Sequence, residues 1–100
     1  MPVVRRAENA GFFVRKVGWP GRKHAPDRVF AHEDRGTVWI EFKRPGETPR
    51  PGQKREHERM RKAGMEVHVC DCAEDALRIL GLLPNANGGP TLSEIDRMIL

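Results

Sequence analysis

Two carboxylates and an amine set the question for this chain. Asp27 follows Pro26, and Glu41 and Lys43 stand two residues apart in Trp39-Ile40-Glu41-Phe42-Lys43. Side chains alternate faces along a strand, so Glu41 and Lys43 point the same way. If the segment opening at Asp27 pairs with them as a hairpin, Asp27 lies beside Glu41. Adjacent acids repel unless a cation sits between them, and their hard oxygens suit Mg2+ or Mn2+. The backbone carbonyl of Phe42 offers a third oxygen. Lys43 is placed to hold or help deprotonate a water, or to face charge developing on a phosphate. A polarising metal, an activated water and a cation are what phosphodiester hydrolysis requires.

The elements that must position these groups are legible in the pattern. Residues 2–10 read as a helix, with Pro2 in its first turn and Val3, Val4, Ala7 and Ala10 at helical spacing. Gly11 is its left-handed stop, and Glu8 flanks the apolar stripe, where it can reach a cleft. Phe12 to Trp19 read as a strand, broken by Pro20-Gly21. Residues 27–32 form a second strand, 33–36 a hairpin turn, and Thr37 to Lys43 a third strand that buries Val38, Ile40 and Phe42. After a Pro- and Gly-rich loop, Gln53 to Ala63 read as a helix too polar for a core face, lying over a cleft. Met65 to Cys70 form a fourth strand. Asp71 and Glu74 suggest a capping box for the next helix. Residues 84–90 read as a linker, and Thr91 opens a last helix carrying Leu92, Ile95 and Ile99. The expected fold is α/β: helix, three antiparallel strands, helix, then a fourth strand parallel to a neighbour, giving a mixed sheet flanked by helices. Residues 1–83 are the expected domain, and 84–100 the linker and C-terminal helix.

Charge is uneven. The first 62 residues carry 16 Lys and Arg against 8 Asp and Glu, whereas the remaining 38 carry 2 against 6. A basic body of this kind offers one face to a polyanion. Arg22, Lys23, Arg44, Arg50, Lys54 and Arg55 surround the acids in sequence and are the candidate phosphate contacts, which would be salt-sensitive and blind to sequence. No apolar run is long enough to span a bilayer, and the start lacks the apolar core of a signal peptide, so a cytoplasmic setting is expected. The only cysteines, Cys70 and Cys72, are too close for a strain-free bridge.

Pro26-Asp27, thirteen residues, and Glu41-Phe42-Lys43 together resemble the PD-(D/E)XK nuclease motif. Within that superfamily the chain is most similar to the virus-type replication-repair nuclease (VRR-NUC) family, in its stand-alone phage or bacterial form. Glu8 in the first helix carries the resemblance, with the Gly18–Gly21 turn, the Glu-x-Lys-x-Pro-Gly run from Glu41 to Gly46, Gln53, and Gly64 before a Val-rich strand. It covers roughly residues 4–80. Ala25, where the family pattern has Gly, is a departure. The resemblance implies that Glu8 helps hold a metal or its water and that Gln53 lies in the active site. It also implies a dimeric enzyme that resolves Holliday junctions or related branched DNA.

Plainer readings stand beside these. Glu41 and Lys43 also read as an exposed ion pair, Glu8 as a solvated helix acid and Gln53 as a first-turn residue. His57, one turn beyond Gln53, reads as a surface histidine. His68, Cys70 and Cys72 alternate on one strand face and invite zinc, yet they give three ligands and no CxxC pair. Trp39 reads as filler beneath a helix or as a base-stacking surface. The expected function is a metal-dependent, structure-selective DNA endonuclease. Its rivals are a DNA-binding module of the same fold without turnover and a restriction-like or end-processing nuclease. The apolar face of the last helix is a candidate dimer element.

Overall fold

Alternation along one strand sorts the molecule into three layers, one sheet with helices on both faces. The computed structural model describes residues 2–83. The elements are α1 (Pro2–Asn9), β1 (Phe13–Lys16), β2 (Arg28–His32), β3 (Gly36–Phe42), α2 (Pro51–Lys62), β4 (Glu66–Cys70) and α3 (Ala73–Ile79). On β3, Val38 and Ile40 face α1 and α3, whereas Trp39 and Glu41 face α2. Val3 and Ala7 of α1 and Ala76 and Leu77 of α3 close over Val14, Phe30, Val38, Ile40 and Cys70. Burying a side chain such as Phe30 or Ile40 stabilises by roughly 1.5–3 kcal/mol. Gly11, at φ +93°, takes the chain out of α1, and an added Cβ there would press on the His32 ring at 3.3 Å.

The sheet order is β1-β2-β3-β4. The first two pairings are antiparallel and β4 runs parallel to β3, as the element order predicts. The parallel step needs a crossover, and α2 supplies it. Arg35 ties the β2–β3 turn to the far side of the fold. It donates to both Glu66 carboxylate oxygens and, through Nε, to the Ile79 carbonyl at 2.8 Å.

Several boundaries differ from the sequence pattern for local reasons. β1 ends at Lys16 rather than Trp19: the chain turns at Pro20-Gly21, where the Arg22 N–H bonds to the Trp19 carbonyl at 3.2 Å, and Trp19 packs on Trp39 with ring centroids 5.8 Å apart. α2 begins at Pro51, two residues before Gln53, since a proline loses nothing in a first helical turn. Asp71 does not cap α3. Its carboxylate accepts the Gly46 N–H at 3.1 Å, and Cys72 holds the cap position. Glu74 instead pairs with Arg78 at 3.5 Å. The expected linker and last helix, 84–100, lie outside the described residues.

Candidate active site

The β2–β3 register sets Arg28 opposite Ile40, which brings Asp27 opposite Glu41. Pro26 is buried, and the Asp27 carbonyl accepts the Val17 N–H at 3.0 Å, so the backbone on both sides of the acid is fixed. The Asp27 carboxylate accepts the Phe42 N–H at 2.7 Å through Oδ2. N–H and C=O of one strand residue leave by the same edge. The Phe42 carbonyl is therefore turned toward the Asp27 side as well. The Lys43 N–H bonds to the Cys70 carbonyl at 2.8 Å, which carries the strand one step past Phe42 and holds Lys43 on the face of Glu41. Lys43 Nζ lies 4.0 Å from Glu41 Oε2, with both side chains largely buried. Asp27, Glu41 and Lys43 are thus one group.

Glu41 is an uncomfortable acid. It is 4% exposed, and its Oε1 has no hydrogen-bond partner among the described residues. Burial foremost, then the nearby charge and hydrogen-bonding capacity of Asp27, push Glu41 up to about 7, against a smaller opposing pull from Lys43. An unpaired buried oxygen costs roughly 1–3 kcal/mol. A divalent cation taking oxygens of both carboxylates would remove the repulsion and the orphaned lone pair together. Hard oxygens at Asp27, Glu41 and the Phe42 carbonyl fit Mg2+ or Mn2+.

α2 covers this group with polar side chains. His57 is 1% exposed, contrary to the surface position that its polar neighbours suggest. Its Nε2 faces Glu41 Oε1 at 4.0 Å and has no hydrogen-bond partner among the described residues. Burial, with Arg61 nearby, holds the ring below its ordinary value and favours the neutral form. Glu56, 8% exposed, receives Arg22 at 3.5 Å and Arg59 at 3.4 Å. Arg22 thereby fastens the basic β1–β2 loop to α2. His24 of that loop lies over Gly52, where a Cβ would stand 2.5 Å from its Nε2. Gln53 stays half-buried in the first turn, and its Oε1 accepts the Arg50 N–H at 2.9 Å.

The remaining candidates separate. Arg22, Lys23, Arg44, Arg50, Lys54 and Arg55 are all exposed. Glu8 is exposed on α1, which packs on the face opposite Glu41, and its carboxylate makes no hydrogen bond or ion pair among the described residues. The zinc reading fails. Cys70 is in the core, where burial pushes its thiol up to about 11, and His68 is bonded to Glu66 at 2.7 Å. Among the described residues, the one trio of metal-capable side chains close enough to share an ion is Asp71, Cys72 and Asp75. Exposed acids of that kind commonly cluster without one.

His57 and Glu56 are what the sequence pattern missed. The signal was present: in a helix whose Met60 is the main apolar residue, the stripe Gln53, His57, Met60 must still be the buried side. Trp39 is half-buried against Trp19 on the same sheet face as Glu41.

No family model matches the chain. The chain is 37% identical over 81 residues to "Putative nuclease p44" of Acyrthosiphon pisum secondary endosymbiont phage 1, covering 74% of this chain and 83% of the phage protein. A solved structure of a VRR_NUC domain superposes with a TM-score of 0.67 at 33% identity, covering 79% of this chain and 90% of that one.

Proposed function

The chain belongs to the VRR-NUC family, and on that footing we propose that it is a metal-dependent DNA endonuclease. It hydrolyses phosphodiester bonds in Holliday junctions or related branched DNA, and it acts as a homodimer. The observation that carries the reading is the buried Glu41 Oε1, without a hydrogen-bond partner among the described residues, beside Asp27 and Lys43.

Asp27, Glu41 and the Phe42 carbonyl hold the metal. When bound, a divalent cation polarises the phosphate and eases loss of a proton from water. Lys43 orients the attacking water or meets the charge that builds on the phosphate oxygens. The β1–β2 loop with Arg22 and Lys23, and the segment from Arg44 to Arg55, contact the flanking phosphates. Glu8 and Gln53 enter through the family pattern, as the acid that holds a metal or its water and as an active-site amide. The Arg50 N–H already engages Gln53, and Glu8 stands exposed on α1.

Branched DNA and the dimer go together. One such site cuts one strand, and two copies related by a two-fold axis present two sites to the two strands that a junction resolution must cut. The setting is the cytoplasm of a bacterium or of a phage-infected cell. No helix among the described residues is long and apolar enough to cross a membrane.

The test uses labelled four-way junction, duplex and flap substrates with Mg2+, Mn2+ or EDTA, alongside sedimentation at micromolar concentration. Symmetric, metal-dependent junction cuts and a mass of twice the chain are expected. Equal cutting of every substrate would remove the branch preference, sequence-restricted cuts would favour a restriction-like enzyme, and a monomer mass would remove the dimer.

A further inference from the structure

Glu41 has two oxygens in different surroundings. Oε2 lies 4.0 Å from Lys43 Nζ, and Oε1 lies 4.0 Å from His57 Nε2. Oε1 and Nε2 are both buried, and neither has a hydrogen-bond partner among the described residues. Side chains as polar as these are rarely left unpaired at 4% and 1% exposure. The separation is too long for a hydrogen bond and short enough to close by a small swing of Glu41 or through one water. The ligand atoms of Asp27, Glu41 and His57 do not all lie within 4.8 Å of one another, so the position of His57 suits a donor to Glu41 better than a third ligand. What remains for an imidazole facing the outer oxygen of a ligating carboxylate is to donate to it. Carboxylates that bind metal are commonly held in this way by a second partner, and losing that partner weakens metal affinity by about 10- to 100-fold.

We infer that His57 is a positioning residue: its Nε2–H bonds to Glu41 Oε1 and holds that carboxylate in the orientation that binds the metal. The inference rests on the nuclease reading, since it assigns Glu41 to the metal. Nothing in the family pattern that points to Glu8, Asp27, Glu41, Lys43 and Gln53 includes this histidine. Its place on α2, one turn past Gln53, makes the helix that covers the site also the element that sets its metal ligand.

The experiment measures Mn2+ binding directly, from the electron paramagnetic resonance signal of free Mn2+, without substrate. His57→Leu keeps the bulk and removes the donor, and His57→Gln keeps an amide N–H near the Nε2 position. Wild type should bind Mn2+, His57→Leu should bind about 10- to 100-fold more weakly with an unchanged melting temperature, and His57→Gln should recover most of the loss. Equal affinity in His57→Leu and wild type overturns the inference while leaving the nuclease reading intact. No Mn2+ binding by wild type overturns both.

If His57→Leu fails to fold, the ring 15N resonances of wild-type His57 during Mg2+ titration decide the matter. The Nε2 signal should move on addition of Mg2+ in wild type and stay still in Glu41→Gln. A wild-type Nε2 signal indifferent to Mg2+ overturns the inference.

Discussion

Asp27 Oδ2 accepts the Phe42 N–H at 2.7 Å, so the acid before β2 is held by the backbone of the strand that carries Glu41 and Lys43. The bond separates two consequences of changing Asp27. In Asp27→Asn the amide oxygen can still accept that N–H, and the repulsion on Glu41 is gone. In Asp27→Ala the N–H loses its partner, at a cost of about 1–2 kcal/mol. Denaturant unfolding in EDTA should therefore rank Asp27→Asn at or above wild type and Asp27→Ala below it. Equal destabilisation by both would mean that the bond contributes little.

Glu41 gives a pH-dependent prediction whose sign is fixed. Its folded value, about 7, lies above the ordinary 4.5, so between those values the folded protein holds more protons than the unfolded chain. Stability without metal therefore falls as pH rises through that window. Glu41→Gln should match wild type near pH 4.5 and exceed it at pH 8 by up to about 3 kcal/mol. Mg2+ or Mn2+ should narrow the gap by stabilising wild type alone. Melting both proteins across pH, with EDTA and with metal, checks this, and a constant gap would contradict it.

The opposite sign holds for Glu66. Hydrogen bonding from Arg35 first, aided by His68 and opposed by burial, brings it down to about 2. That stability is complete above the ordinary carboxylate range and is lost as pH falls from about 4.5 toward 2. Because the carboxylate is more than a third exposed, the contribution is about 1–2 kcal/mol after screening. Glu66→Gln should be less stable than wild type at pH 6 by that amount, with the difference closing near pH 2, as followed by urea unfolding.

Gly52 lets His24 sit against the start of α2. In Gly52→Ala the new Cβ would fall 2.5 Å from the imidazole Nε2, and the exposed ring can move away. The helix gains propensity while the basic loop loses its seat. The melting temperature should hold, and DNA affinity in EDTA, read by fluorescence anisotropy, should weaken by about threefold to tenfold, as for one or two lost phosphate contacts. Unchanged affinity would detach that loop from DNA binding.

Much of this was readable in the chain because local pattern and global fold agree. The alternation of Val38 and Ile40 with Trp39 and Glu41 sets the faces of β3, and the Glu33–Gly36 turn sets the hairpin that brings Asp27 to Glu41. The parallel return of β4 follows from the intervening helix. What escaped the pattern depends on tertiary contacts. His57 lies on the stripe marked by Gln53 and Met60, but among Lys54, Arg55, Glu58 and Arg59 that stripe does not show how deeply α2 docks over Glu41. Asp71 has the spacing of a helix cap, yet the loop after Lys43 brings the Gly46 N–H to its carboxylate. Helical spacing puts Glu8 beside the apolar stripe of α1, but it cannot show which sheet face that helix covers.

Cleavage of a labelled four-way junction by wild type, Asp27→Asn and Lys43→Ala, with Mg2+ or Mn2+ and with EDTA, decides whether these residues form a metal-dependent nuclease site. Wild type should cut only when metal is present. Either folded variant should be slower by at least about 100-fold, the order expected when a metal ligand or a charge-stabilising group is removed. Metal-independent cutting, or variants that cut as fast as wild type, would contradict such a site.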